Sequence, residues 1–164
     1  PEFRTSVIGL KTELLESKKI GSHKIFSIRG SKKSIHFFPV SMGNPHAVIN
    51  MNSIKSSEII EIANFINRMK IFKSGVNLGF CKIRDRRKID LRVFERGCGE
   101  TLACGSGACA AVVSGIAQSL LAQNEPIEVN LPGGSLSISW GGGENDKVSM
   151  SGPAEEVFRG TFQL

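Results

Sequence analysis

The 164 residues contain no tyrosine, one tryptophan and three histidines, and each scarcity narrows the chemistry available to the chain. The ten phenylalanines are not interleaved with basic positions as a base-stacking platform requires. The formal charge is +6, but the cations are scattered through Lys18-Lys19, Lys32-Lys33, Arg84 and Arg86-Arg87-Lys88. That distribution describes a solvated surface, able to attract an acidic substrate, better than a nucleic-acid groove. No stretch reads as a signal peptide or as an apolar run long enough to cross a bilayer. The four cysteines, Cys81, Cys98, Cys104 and Cys109, are therefore expected to be reduced thiols of a cytoplasmic protein. They lack a CxxC knuckle and a nearby histidine pair, which argues against a structural metal. Internal repeats and low-complexity segments are also missing.

What is present is concentrated between Phe94 and Ala111. There Glu95-Arg96-Gly97-Cys98-Gly99-Glu100-Thr101-Leu102-Ala103-Cys104 runs through Gly105-Ser106-Gly107 into Ala108-Cys109-Ala110-Ala111-Val112-Val113. A glycine-rich turn entering a helix of small apolar residues places Cys104 beside backbone N–H groups that have no partner within the helix. The positive end of the helix favours both a thiolate and a bound carboxylate. A thiolate next to an anion cradle is equipped to take a proton from carbon adjacent to a carboxylate. The competing reading of any cysteine is a small buried hydrophobe, and that reading is kept for Cys81, Cys98 and Cys109.

The 40% hydrophobic content suits one compact domain, with a strand or two belonging elsewhere. Residues 7–19 show no clean period and read as a connection holding at most a short strand. Residues 24–29 and 34–40 read as a β-hairpin joined at Gly30-Ser31. Gly43-Asn44-Pro45 is a turn, and strand resumes at 46–50. From Ser56, apolar positions Ile59, Ile62, Ala63, Ile66 and Met69 recur at helical spacing behind an expected serine cap. Residues 76–83 and 88–94 alternate as strands about a charged turn, with Ile89, Leu91 and Val93 on one face. A helix over 107–122 is apolar nearly all round until Gln118, so it is expected inside the domain. Residues 127–131 and 136–140 form a second hairpin about Pro132-Gly133-Gly134, a turn more readily than a phosphate cradle. Short strands are expected at 147–150 and 157–162. The sum is an α+β fold, a barrel-like β-sheet around a central buried helix.

Taken singly, Asn44 and His46 read as turn residues, Asn77 as a solvent-facing strand residue, and Glu95-Arg96 as an exposed ion pair. Taken together, Ser41-Met42-Gly43-Asn44-Pro45-His46, Val76-Asn77-Leu78-Gly79-Phe80 and the run from Glu95 to Ala111 resemble the diaminopimelate epimerase family. Leu131-Pro132-Gly133-Gly134 and Ser151-Gly152-Pro153-Ala154 carry the similarity over nearly the whole chain. Proline racemases and phenazine-type isomerases share the architecture without the full string.

The resemblance implies an isomerase that interconverts LL- and meso-diaminopimelate for lysine and cell-wall synthesis, with no cofactor and no metal. Two cysteines act on opposite faces of the α-carbon, one removing a proton and the other delivering one. It implies that Cys104 is one of them, and that Gly105 and Ser106 bind the reacting carboxylate through their N–H groups. Glu95 and His46 would tune the thiols, and Asn44, Asn77, Glu95 and Arg96 would hold the distal amino-acid end. The family has two similar domains. Residues 1–6 resemble the end of the first, 7–152 the second, and 153–164 a closing strand that returns to the first. The expected partners are that N-terminal domain and a second copy of the whole protein, with no nucleic acid or membrane. This piece alone is expected to be inactive. Another racemase or isomerase of the same superfamily, or a non-enzymatic binding domain, are the alternatives.

Overall fold

The computed structural model describes residues 1–30 and 34–163. In chain order it comprises α1 (Thr5–Ile8), β1 (Glu16–Ile20), β2 (His23–Arg29), β3 (Ser34–Ser41), β4 (Pro45–Asn50), α2 (Ser56–Met69) and β5 (Asn77–Asp85). There follow β6 (Lys88–Glu95), β7 (Gly99–Thr101), α3 (Gly105–Ala117), β8 (Ile127–Leu131), β9 (Gly134–Ser139) and β10 (Ser149–Ser151). The strands form one mixed sheet in the order β1-β2-β3-β4-β5-β6-β8-β9-β10, with β7 paired to β6 beside the path.

Two pairings in this order are parallel, and they explain where the helices lie. β4 and β5 are parallel and joined through α2; β6 and β8 are parallel and joined through β7 and α3. Because β5 and β6 are antiparallel, the two crossovers start from strands of opposite direction and step the same way across the sheet. Crossovers of one hand then deposit their helices on opposite faces. The buried residues divide accordingly. Phe38, Val40, Val48, Cys81, Leu91 and Val93 pack with α3, whereas Phe37, Ala47, Ile49, Leu78 and Phe80 pack with Ile59, Ile62, Ala63 and Ile66 of α2. Adjacent residues such as Phe37 and Phe38 thus serve different cores, which is why the central strands are apolar on both faces.

α3 is buried from Gly107 through Ile116 and lies against β3, β4, β5, β6 and β9. Its burial agrees with the expectation of a helix inside the domain. The expected barrel-like closure is not confirmed: among the described residues the hydrogen-bonded path runs from β1 to β10.

The helix is also shorter than the expected span of 107–122. Ser119 adopts a left-handed φ of 60°, Ser119 N–H donates to Ile116 O and Leu120 N–H to Gly115 O. These are the paired bonds of a helix-ending Schellman turn. Leu121 then folds back over Gly115, so the apolar period continues in sequence after the helix has stopped.

Other expectations shift as well. Residues 5–8 form a helical turn that the sequence did not suggest, and the short strand allowed for within 7–19 is Glu16–Ile20. The helix from Ser56 is not capped by serine: Lys55 is the N-cap, with no side-chain capping bond. The turn expected at Gly30-Ser31 lies partly outside the described residues, but β2 and β3 are antiparallel as a hairpin requires. The strand expected at 147–150 is Ser149–Ser151. No strand forms at 157–162: among the described residues, 152–163 have no regular structure. Val157, Phe158 and Phe162 of this stretch are exposed.

Candidate active site

The antiparallel and parallel pairings bring several chain ends to one end of the sheet. The starts of β4 and β5, the end of β6, the β6-β7 hairpin, the start of α3 and the β8-β9 turn all meet there. Every residue singled out from the sequence sits on this rim.

Cys104 is the N-cap residue of α3, in extended conformation (φ −145°, ψ 106°), and its carbonyl accepts from Ala108 N–H at 2.9 Å. That is the first bond of the helix, so the N–H groups of Gly105, Ser106 and Gly107 precede it and have no helical partner. Cys104 is 8% exposed, while Ala103 is exposed and Gly105 and Ser106 are half-buried. Gly105 and Ser106 therefore lie at the edge of the core, and the thiol is buried beside them, packed with the core around α3. Sγ is 3.6 Å from Ser106 Oγ. Gly107 makes this possible, because a Cβ there would lie 3.2 Å from Cys104 Sγ and 3.1 Å from Val93 Cγ2. Two further contacts hold the loop. Gly133 N–H, in the β8-β9 turn, donates to Leu102 O at 2.8 Å, and Met150 of β10 lies over Gly105 and reaches Cys109 Sγ at 4.0 Å. Neither role was legible beforehand: Gly133 read only as a turn residue and Met150 as part of a strand.

The other cysteines behave differently. Burial first, then Asp90, pushes the Cys81 thiol up to about 12, so it stays protonated inside the sheet. Burial and then the neighbouring Cys104 raise Cys109. Cys98 is exposed in the turn between β6 and β7.

His46 is 1% exposed, and burial lowers it to about 4 against a weaker opposing pull from Glu95. It is neutral near pH 7, and with its proton on Nε2 it donates to Asn44 Oδ1 at 2.9 Å. Asn77 is buried, contrary to the solvent-facing reading, because its Oδ1 accepts from Arg96 N–H at 2.9 Å. Each asparagine therefore spends its carbonyl on the protein and keeps its NH2 to offer a ligand. Arg96 is anchored too: its guanidinium donates to Ser74 O at 2.7 Å, and its stem crosses Gly75, where a Cβ would lie 2.8 Å away. The exposed ion pair expected of Glu95-Arg96 does not form, for Glu95 Oε1 instead accepts from Thr101 Oγ1 at 2.6 Å.

The rim thus holds linked pairs, Asn44 with His46, Asn77 with Arg96, Glu95 with Thr101, and Cys104 with Ser106. Among the described residues no hydrogen bond joins Cys104 to His46 or Glu95. A cleft of about 880 Å3 lies elsewhere, lined by Phe3, His23, Phe38 and Glu144. Among the described residues no three His, Cys, Asp or Glu side chains converge as metal ligands, and no helix is long and apolar enough to cross a membrane.

The family profile for Diaminopimelate epimerase matches residues 38–157. The chain belongs to the diaminopimelate epimerase family. A protein named Diaminopimelate epimerase from Cupriavidus necator is 39% identical over 164 residues, all of this chain and 56% of that protein. One of the same name from Buchnera aphidicola subsp. Baizongia pistaciae is 44% identical over 154 residues, 94% of this chain and 53% of the other. Another from Teredinibacter turnerae is 51% identical over 125 residues, 76% of this chain and 44% of the other. The chain spans about half the length of the curated relatives it matches, 56% for the first of these. A crystal structure of a Bacillus anthracis phenazine biosynthesis protein of the PhzF family shares the fold, with TM-score 0.52 at 21% identity over 71% of this chain and 38% of that one.

Proposed function

We propose that this chain is the C-terminal part of a diaminopimelate epimerase and carries one of its two catalytic cysteines. The observation that carries the reading is the start of α3, where a buried thiol shares a helix N-terminus with half-buried residues whose amides precede the first helical bond. In the reaction, Cys104 thiolate removes the α-proton of one stereoisomer, or its thiol delivers a proton in the reverse sense. Gly105 and Ser106 N–H groups hold the α-carboxylate, which acquires charge as the C–H bond breaks. Aimed dipoles in a water-poor site stabilise that charge without a cofactor. His46, held neutral, and Glu95 tune the thiols. The free NH2 groups of Asn44 and Asn77, with Arg96 and Glu95, bind the distal amino and carboxylate groups.

The second cysteine and the far wall of the pocket come from an N-terminal part of the protein. Residues 1–6 end that part, 7–152 are the present domain, and 153–164 return to it as a strand that completes a barrel-like closure. The whole protein works in the cytoplasm as a homodimer. The test is the full-length protein and its Cys104→Ala variant in deuterated water with LL-diaminopimelate and related amino acids. The expected result is α-deuterium exchange with epimerisation of diaminopimelate in the first and loss of both in the second. Full turnover in Cys104→Ala, or preference for another amino acid, refutes the reading. The 164-residue chain alone is expected not to turn over.

A further inference from the structure

β7 is only three residues long, and its side chains alternate between two tasks. Glu100 turns to Arg92, which donates to Glu100 Oε1 at 2.5 Å, to Ile54 O at 2.9 Å and to Ser56 Oγ at 3.0 Å. This node ties β7 to β6 and to the entrance of α2. Thr101, facing the other way and paired across from Val93, donates its hydroxyl proton to Glu95 Oε1 at 2.6 Å. A short hydroxyl-to-carboxylate bond fixes the acceptor's direction more firmly than a neutral one.

The charges on the rim give this bond a consequence. Asn44 and Asn77 present NH2 groups and Arg96 is cationic, so these offer protons to a ligand, whereas buried His46, neutral with its one N–H given to Asn44 Oδ1, offers none. Glu100 is engaged with Arg92. Glu95 is then the rim acceptor for an ammonium group, with Oε1 already occupied and Oε2 left to meet it. We infer that Thr101 is a positioning residue for substrate selectivity: its hydroxyl holds Glu95 so that Oε2 faces the ammonium at the distal end of the substrate. The inference rests on the proposed function, since it is that reading which puts a second amino group in the pocket.

The experiment uses the full-length protein with Thr101→Val, which keeps the shape and removes the hydroxyl, and Thr101→Ser, which restores the hydroxyl. Steady-state epimerisation is measured with LL-diaminopimelate and with 2-aminopimelate, which lacks the distal amino group. Thr101→Val should raise KM for diaminopimelate at least tenfold with kcat within threefold, and shrink the preference over 2-aminopimelate by a similar factor. Thr101→Ser should return KM to within threefold of the parent. An unchanged KM in Thr101→Val, or a serine variant no better than the valine one, overturns the inference. If the parent does not epimerise diaminopimelate, the functional reading fails on its own. The Tm shifts of Thr101→Val, Glu95→Gln and the double variant then decide the contact. Additive shifts overturn the Thr101-Glu95 coupling, and a double shift smaller than the sum sustains it.

Discussion

His46 shows how one residue ties the rim to stability. Its ordinary pKa near 6.5 falls to about 4 on folding because the ring is buried, first of all, while Glu95 only partly offsets this. Above pH 6.5 folded and unfolded chains both carry a neutral ring, and His46 adds nothing to the pH dependence. Below that value the unfolded chain takes up a proton that the folded one refuses, so stability falls as pH falls towards 4. Linkage puts the loss from this residue at about 2 kcal/mol by roughly pH 5. Urea unfolding of the chain at about pH 7 and pH 5 should show it. His46→Gln, whatever its own stability, should lose less between those two conditions by about that amount. An undiminished loss would exclude His46 as the source. The sequence showed the rim residues as motif members, but it did not show which atoms they spend on one another. Asn77 and Arg96 are 19 positions apart and meet through a backbone N–H, a contact no side-chain pattern encodes.

At the scale of elements, α3 is organised by two glycines with opposite duties. At Gly107 an added Cβ meets Val93 and the Cys104 sulfur at 3.1–3.2 Å. Gly107→Ala gains roughly 1 kcal/mol of helix propensity and loses a comparable amount to crowding, so stability should stay within about 1 kcal/mol of the parent. Val93 and the thiol, however, must give by a few tenths of an ångström. Since a misplacement of about 1 Å costs roughly 100-fold, kcat/KM of the whole protein should fall by up to about tenfold. Unchanged kcat/KM in a normally folded variant would show that the glycine does not place the sulfur. At Gly115 an added Cβ falls 2.4 Å from Leu121 Cδ1. Gly115→Ala should therefore destabilise by about 1–3 kcal/mol in thermal unfolding, through expulsion of Leu121. The start of α3 was legible because glycine, serine and cysteine interrupt a strand pattern at a helix boundary. Its end was not, because Leu120, Leu121 and Ala122 prolong the apolar run after a left-handed turn at a serine, where sequence gives no glycine as a stop signal.

At the scale of the molecule, alternation along single strands revealed most of the sheet, but closure depends on neighbours that a strand does not name. Ile89, Leu91 and Val93 announced a buried face, and β6 has one. A strand is also expected at 157–162, where Val157, Phe158 and Phe162 lie exposed, and none forms there among the described residues. An extended apolar segment pairs only if an edge is offered, and no backbone hydrogen bond of the described residues engages 152–163. If these residues return as a strand to the N-terminal part of the protein, their protection is a property of the whole and not of this chain. Amide hydrogen exchange separates the two. In the 164-residue chain, residues 153–163 should exchange close to the free-peptide rate, while Gly107–Ile116 of α3 exchange slowest. In the full-length protein the same tail should be slowed by roughly 100-fold or more, since each factor of ten needs only about 1.4 kcal/mol of local stability. Val157→Asp should remove that protection and the activity together while leaving α3 protected. A tail equally unprotected in the active full-length protein would refute the returning strand and leave the open sheet as the complete architecture of this domain.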